Sequence, residues 1–208
     1  MRIEYAFSMD VVDRIVNFSW PTLEAVAAPT ASERRALLAR LLSVSECCSR
    51  DYDRFYRAYV DSEIDLKLLV GLHKIGVTGG GFRVQEICVG KDDPVNGFLA
   101  TALDVRPFLK AMIQRVNSVP SSPSRVIAFC YAFLILHPFN DGNGRMFRMI
   151  CPILGGRQHA KAWFNFAERT KVEVSEFKFC MTQIALGDCM PMRNLLEGSV
   201  NNYHWKGV

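Results

Sequence analysis

From Val126 to Leu136 the chain runs eleven residues, VIAFCYAFLIL, without a charged side chain. A stretch that apolar has to be taken out of water. It is far short of the ~20 residues a membrane span needs, so it reads as a helix buried in a protein core. Ser122 followed by Pro123 suits a helix start, with serine as N-cap and proline at the first helical position. His137-Pro138 ends the run, because proline removes a backbone donor and pushes the residue before it out of the helical region. A helix buried on every side needs other elements around it. This segment therefore demands a multi-helix fold.

The rest of the chain supplies those helices. Thr30 or Ser32 can cap a helix in which Leu37, Leu38, Leu41 and Leu42 recur at helical spacing. Tyr52, Phe55, Tyr56 and Tyr59 mark another helix, with an aromatic stripe of the kind that packs a core. Ile64–Ile75 and Val105–Val116 read as helices, and so do a segment around Met146–Leu154 ended by Gly155-Gly156, the stretch around Phe164–Phe166, and Val172–Gly187. Between them, Phe82 to Val89 follows the Gly79-Gly80-Gly81 run. It is β-prone and roughly alternating, and Gly90-Lys91-Asp92-Asp93-Pro94 closes it. The expected fold class is mainly α with one small β element.

Composition narrows the function more by exclusion. Net charge is +4, with 25 basic and 21 acidic residues spread along the chain. No basic stripe of the kind a nucleic-acid binder needs is present. Seven cysteines, an odd number without a CxxC pair, suggest neither a disulfide framework nor a zinc site. The start, MRIEYAFSMDVV, does not read as a signal peptide. No nucleic acid, no membrane and a cytoplasmic setting are expected.

The chemistry is concentrated in His137-Pro138-Phe139-Asn140-Asp141-Gly142-Asn143-Gly144-Arg145, closed by Arg148. A second helix opening near Gly144 has backbone N–H groups without intrahelical partners and partial positive charge at its start, so phosphate fits there. Gly142 and Gly144 permit a left-handed backbone and close approach of a ligand, and the Asn143 side chain can donate a further hydrogen bond. Arg145 and Arg148, three apart, share one face and present planar donor arrays suited to phosphate. Asp141 is an oxygen ligand of the kind Mg²⁺ takes when shared with phosphates. His137 is the group of the run whose proton affinity lies near neutrality, hence the candidate general base. Singly, such residues are ordinarily a packed histidine, a turn and a solvated helix face. Together, at this order and spacing, they read as an anion site that joins a base, a carboxylate fit for a metal and a phosphate cradle.

The run HPFNDGNGRMFR resembles the Fic family motif, His-Pro-Phe-x-(Asp/Glu)-Gly-Asn-Gly-Arg-x-x-Arg, at every specified position. The similarity extends loosely upstream through Leu66 to Arg83 and downstream through Ala185 to Leu196, covering about Asp61 to Leu196. The resemblance implies a Fic-type helical bundle over 61–208, with residues 1–60 as a helical N-terminal extension packed on it and the whole a single globular unit. It also implies a β-hairpin flap near residues 82–90, over the active site, whose exposed edge pairs with the backbone of a target protein.

Family members with the complete motif transfer AMP from ATP to a hydroxyl of a target protein. A Doc-like kinase replaces the second glycine by lysine, and phosphocholine-transferring relatives alter the first. Gly142 and Gly144 are both kept, which favours a protein adenylyltransferase using ATP and Mg²⁺. Asp141 is then expected on the metal, the loop from Gly142 to Gly144 with Arg145 around the phosphates, Arg148 on the γ-phosphate, and His137 taking the proton of a Tyr, Thr or Ser hydroxyl. Alternatives are another donor (UTP, GTP, a CDP conjugate or the γ-phosphate of ATP) and a nucleotide-binding interaction module without transfer. Many members carry an inhibitory (Ser/Thr)-x-x-x-Glu-(Gly/Asn) helix. Here Arg193 stands at its first position, so Glu197 reads as a solvated glutamate before a helix-ending Gly198. The chain is then constitutively active or held by a separate inhibitor protein, acting in its own cell or delivered into another.

Overall fold

The computed structural model describes residues 8–25, 27–42, 46–77, 81–84, 87–89, 98–100, 105–120 and 123–201. Among them ten α-helices follow one another: α1 (Met9–Asn17), α2 (Ala31–Leu42), α3 (Glu46–Tyr59), α4 (Leu66–Gly76), α5 (Arg106–Asn117), α6 (Pro123–Leu136), α7 (Asn143–Leu154), α8 (Ala160–Val172), α9 (Val174–Leu186) and α10 (Met190–Asn201). Two strands, β1 (Ile87–Val89) and β2 (Phe98–Ala100), lie between α4 and α5 and pair antiparallel, with Cys88 opposite Leu99. The fold is mainly α, as the periodicities require.

α6 lies at the centre. Every residue from Val126 to Phe133 is buried, as are Ile135 and Leu136, and α1, α5 and α7 pack around it. Val12 and Ile15 of α1 and Leu38 and Leu41 of α2 belong to the same buried apolar cluster as Phe129, Phe133 and Ile150. Tyr52 and Tyr56 fill the α3 side, where the Tyr52 hydroxyl donates to the Met149 carbonyl at 2.9 Å. No helix among the described residues is long and apolar enough to cross a membrane.

Helix starts follow local chemistry. Thr30 caps α2: its Oγ1 accepts from the Glu33 N–H at 3.3 Å, and the Glu33 carboxylate accepts from the Thr30 N–H at 2.6 Å. The two satisfy each other's spare donors, a capping box worth ~1 kcal/mol. Ser32 lies within the helix instead. Asp65 caps α4 by accepting from the Leu68 N–H at 2.6 Å. The expected serine cap of α6, Ser122, lies outside the described residues, as do Gly79, Gly80, Gln85, Glu86 and the turn 90–94.

Two expectations are corrected. The stretch 82–90 is not one hairpin arm: Phe82 forms an isolated antiparallel bridge with Phe139, and among the described residues the ladder with β2 covers Ile87 to Val89. The reason is tethering, because the Arg83 N–H is spent on the Pro138 carbonyl at 2.9 Å and the Gly81 carbonyl on the Asn140 N–H at 3.1 Å. α7 ends where the two glycines predict: Gly155 is its C-cap, right-handed and making room for the Trp163 indole, and Gly156 follows with φ 78. Gly198, by contrast, does not end a helix, since α10 continues to Asn201. A side chain at 198 would collide with the Arg169 guanidinium, which donates to the Leu195 carbonyl at 3.1 Å.

Candidate active site

The motif spans the gap between the C-terminus of α6 and the N-terminus of α7. His137 leaves the helix in the left-handed region, φ 46, a conformation histidine reaches more readily than most residues. Its N–H still donates to the Phe133 carbonyl at 2.9 Å. Arg83, 2 % exposed, reaches in from the segment after α4. Its Nε donates to the His137 carbonyl at 2.9 Å and a terminal nitrogen donates to the Leu136 carbonyl at 2.9 Å. These are end carbonyls of α6 that have no partner inside the helix.

Phe139 anchors the loop in the core. Its ring stacks on His73 at 4.0 Å on one side and on Phe82 at 4.9 Å. His73, the last histidine of α4, also meets the Asp141 carbonyl through Nε2 at 3.0 Å. Asn143 closes the loop from inside: its Oδ1 accepts from the Phe139 N–H at 3.0 Å and its Nδ2 donates to the Phe139 carbonyl at 2.8 Å. The expectation that the Asn143 side chain faces a ligand is therefore corrected. Asn143 is 1 % exposed, and both polar ends of its amide hold the turn.

The start of α7 is the open side. Gly142 is its N-cap, with φ 82 and no side-chain cap. A Cβ there would also collide with Val77, so both backbone angle and packing require glycine. Gly144 is different. A Cβ there would meet only the Arg148 guanidinium at 3.7 and 3.8 Å, ordinary contact. Glycine inside a helix costs roughly 0.5–1 kcal/mol relative to alanine, and no packing among the described residues asks for it. Bare backbone at the first turn is what a ligand pressed against the helix start requires.

The charged residues divide. Asp141 accepts from the Gly142 N–H at 2.6 Å and from Arg145 at 2.7 Å, and Arg145 also donates to the Gly76 carbonyl at 3.1 Å. Arg145 is thus already paired with the carboxylate expected on the metal. Arg148 stands otherwise: its Nε is buried without a hydrogen-bond partner among the described residues. Burial and the Arg145 charge both lower its proton affinity below the ordinary arginine value, with Cys151 opposing. A desolvated guanidinium with a spare donor is poised to accept an anion.

The His137 Nδ1 is likewise buried and, among the described residues, without a hydrogen-bond partner. Burial pushes the imidazole down from 6.5 to about 4, the Arg83 charge acts in the same direction, and the Leu134 carbonyl and Asp141 carboxylate oppose it. Its proton affinity in the free protein is therefore not near neutrality, as its residue type alone suggested. It is held neutral throughout the physiological range. Among the described residues no three metal-ligating side chains cluster.

Glu197 accepts from Arg193 at 2.9 Å along the same helix.

A buried helix that ends on a histidine is followed by an uncapped helix start with an arginine whose Nε has no partner among the described residues. The model of the Fic/DOC family matches residues 63–154, from just before α4 through α7, and this part of the chain belongs to that family. It is a transferase domain of the Fic type. No curated protein and no solved structure matches the chain. Arg83 and His73 are site-building residues that the motif alone did not reveal. Both lie within Leu66 to Arg83, the stretch over which the sequence resembles the family loosely upstream of the motif.

Proposed function

We propose that the protein is an adenylyltransferase that moves AMP from ATP to a Tyr, Thr or Ser hydroxyl of a target protein. The observation that carries this is the contrast at the start of α7: among the described residues no packing asks for glycine at Gly144, and the buried Arg148 Nε has no hydrogen-bond partner. Both are explained by a triphosphate lying across the helix start. The N–H groups of Asn143 and Gly144, that of Gly142 once Asp141 releases it, and the guanidinium groups of Arg145 and Arg148 would hold the phosphates, with Arg148 on the γ-phosphate. Asp141 is the residue that would hold Mg²⁺, once Arg145 turns from it to phosphate. The cation would neutralise phosphate charge.

The neutral His137 imidazole accepts the proton of the incoming hydroxyl. The oxygen then bonds to the α-phosphorus, the bond from that phosphorus to the bridging oxygen breaks, and pyrophosphate leaves. The negative charge of bound triphosphate raises the histidine's proton affinity from its low value in the free protein, which moves the base toward the operating pH as substrate binds. Positioning and electrostatic stabilisation do most of the work. The target would dock its backbone on a free edge of the β1–β2 ladder, within the stretch 82–90. Of that stretch, residues 85, 86 and 90 lie outside the described ones. With Glu197 paired to Arg193, the reading is of an enzyme active as it stands or restrained by a separate inhibitor protein, working in a reducing compartment.

The test is incubation of the protein with a cell lysate and ATP labelled on the α-phosphate in one arm and on the γ-phosphate in another, with His137→Ala as blank. Label from the α-position alone, absent with the variant, is expected. Label from the γ-position alone would make it a kinase, and label with neither would leave a binding module. Competition by UTP, GTP and CTP reads the donor.

A further inference from the structure

Building on the assignment of His137 as base, we infer that Arg83 is the positioning residue that sets the backbone of that histidine, so that the imidazole's place in the site is fixed from outside the motif. The argument is geometric. The peptide unit before His137 is held by its N–H, which donates to Phe133, and the unit after it by its carbonyl, which accepts from the Arg83 Nε. The neighbours on both sides are tied to the same arginine: the Leu136 carbonyl to its guanidinium at 2.9 Å, and the Pro138 carbonyl to its backbone N–H at 2.9 Å.

One residue thus grips three consecutive carbonyls. Between them sits a non-glycine residue at φ 46, a conformation that persists only where the surroundings over-determine it. With both peptide planes fixed, only the side-chain torsions of His137 remain free. The planar fork of arginine reaches two carbonyls at once, which the single ammonium of lysine cannot do with the same directionality. The site at the C-terminal end of α6 also favours a cation, because the helix carbonyls converge there.

The consequence is a separation of effects. Removing the fork should displace the base and leave the phosphate nest at α7 in place, since Arg83 touches none of Gly142 to Arg148 through the bonds described. For Arg83→Gln, kcat should fall about 100-fold, the loss associated with a misplacement of about 1 Å, while KM for ATP stays within twofold. Arg83→Lys should recover part of that loss, to about tenfold below wild type. The backbone three-bond coupling of His137, which reads φ directly, should move away from its left-handed value in both variants.

A kcat within twofold of wild type in a folded variant would overturn the inference. So would a loss confined to KM, or a His137 coupling that does not change. Should both variants unfold, the wild-type protein still decides, because the Arg83 Nε–H must show slow solvent exchange and a through-bond coupling to the His137 carbonyl. Their absence refutes the assignment. If wild type transfers no AMP at all, the functional reading fails while the coupling measurements still judge Arg83 on its own.

Discussion

The two banks of the motif differ in how their polar groups are used. On the α6 bank, nearly every donor and acceptor is spent within the chain: the carbonyls of Leu136, His137 and Pro138 on Arg83, the Asp141 carbonyl on His73, and both polar ends of the Asn143 amide on Phe139. On the α7 bank the helix start has no side-chain cap, Arg148 Nε has no partner among the described residues, and Gly144 is bare. A buried polar group without a partner costs ~1–3 kcal/mol. One bank is closed scaffold. The other keeps its capacity for something outside the chain.

The contrast can be broken most severely at His137, where the scaffold presents its one reactive group. His137→Ala should lower transfer ~10²–10⁴-fold with ATP affinity held, as read by labelling rate against a binding isotherm. An effect on ATP binding alone would place the histidine in the nest. On the scaffold bank, Phe139→Ala removes a ring that is 1 % exposed and stacked on two others, and should cost ~3–5 kcal/mol of stability, seen as a fall in the denaturant midpoint. Loss below about 1 kcal/mol would mean that the loop is not anchored through it.

The two glycines sharpen the comparison further. Gly142→Ala meets both a left-handed backbone and Val77, and should destabilise by ~1–3 kcal/mol. Gly144→Ala should leave stability unchanged or raise it by roughly 0.5–1 kcal/mol while sharply weakening ATP binding. Equal effects of the two would erase the distinction between the banks.

pH provides a further test. Because the folded His137 titrates near 4, below its ordinary 6.5, the unfolded chain takes up its proton first as pH falls. Its contribution to stability is therefore intact above 6.5 and lost between 6.5 and about 4, to the extent of about 3 kcal/mol. His137→Ala should flatten that part of the stability profile measured by chemical denaturation. The smallest effect belongs to Glu197→Gln, whose helix-surface partner Arg193 makes the pair worth ~0–1 kcal/mol. Self-modification, read by intact mass, should not change. A marked rise would reveal an inhibitory role.

Much of the α7 bank was legible in the sequence because it is local. Two glycines, an aspartate and two arginines within a few residues of a helix start state an anion site through spacing alone. The helices were legible for the same reason, Thr30 and the leucines of α2 being an example. The α6 bank was not, since its parts come from afar: Arg83 lies 54 positions from the carbonyl it grips at residue 137, and His73 lies 68 from Asp141. An asparagine between two glycines looks like a ligand donor. Only the turn's geometry shows that its amide is spent on Phe139. Likewise, a histidine's residue type suggests neutrality, and its burial displaces it.

The most direct measurement is an ATP titration, with and without Mg²⁺, followed by backbone amide and arginine Nε resonances of the isotopically labelled protein. The account predicts that the amides of Asn143, Gly144 and Arg145 and the Nε–H of Arg148 shift together and saturate with one affinity, while the side-chain amide of Asn143 stays in place. Shifts that spare the start of α7 and gather elsewhere, such as the cleft of Trp20, His159 and Trp163, would contradict it.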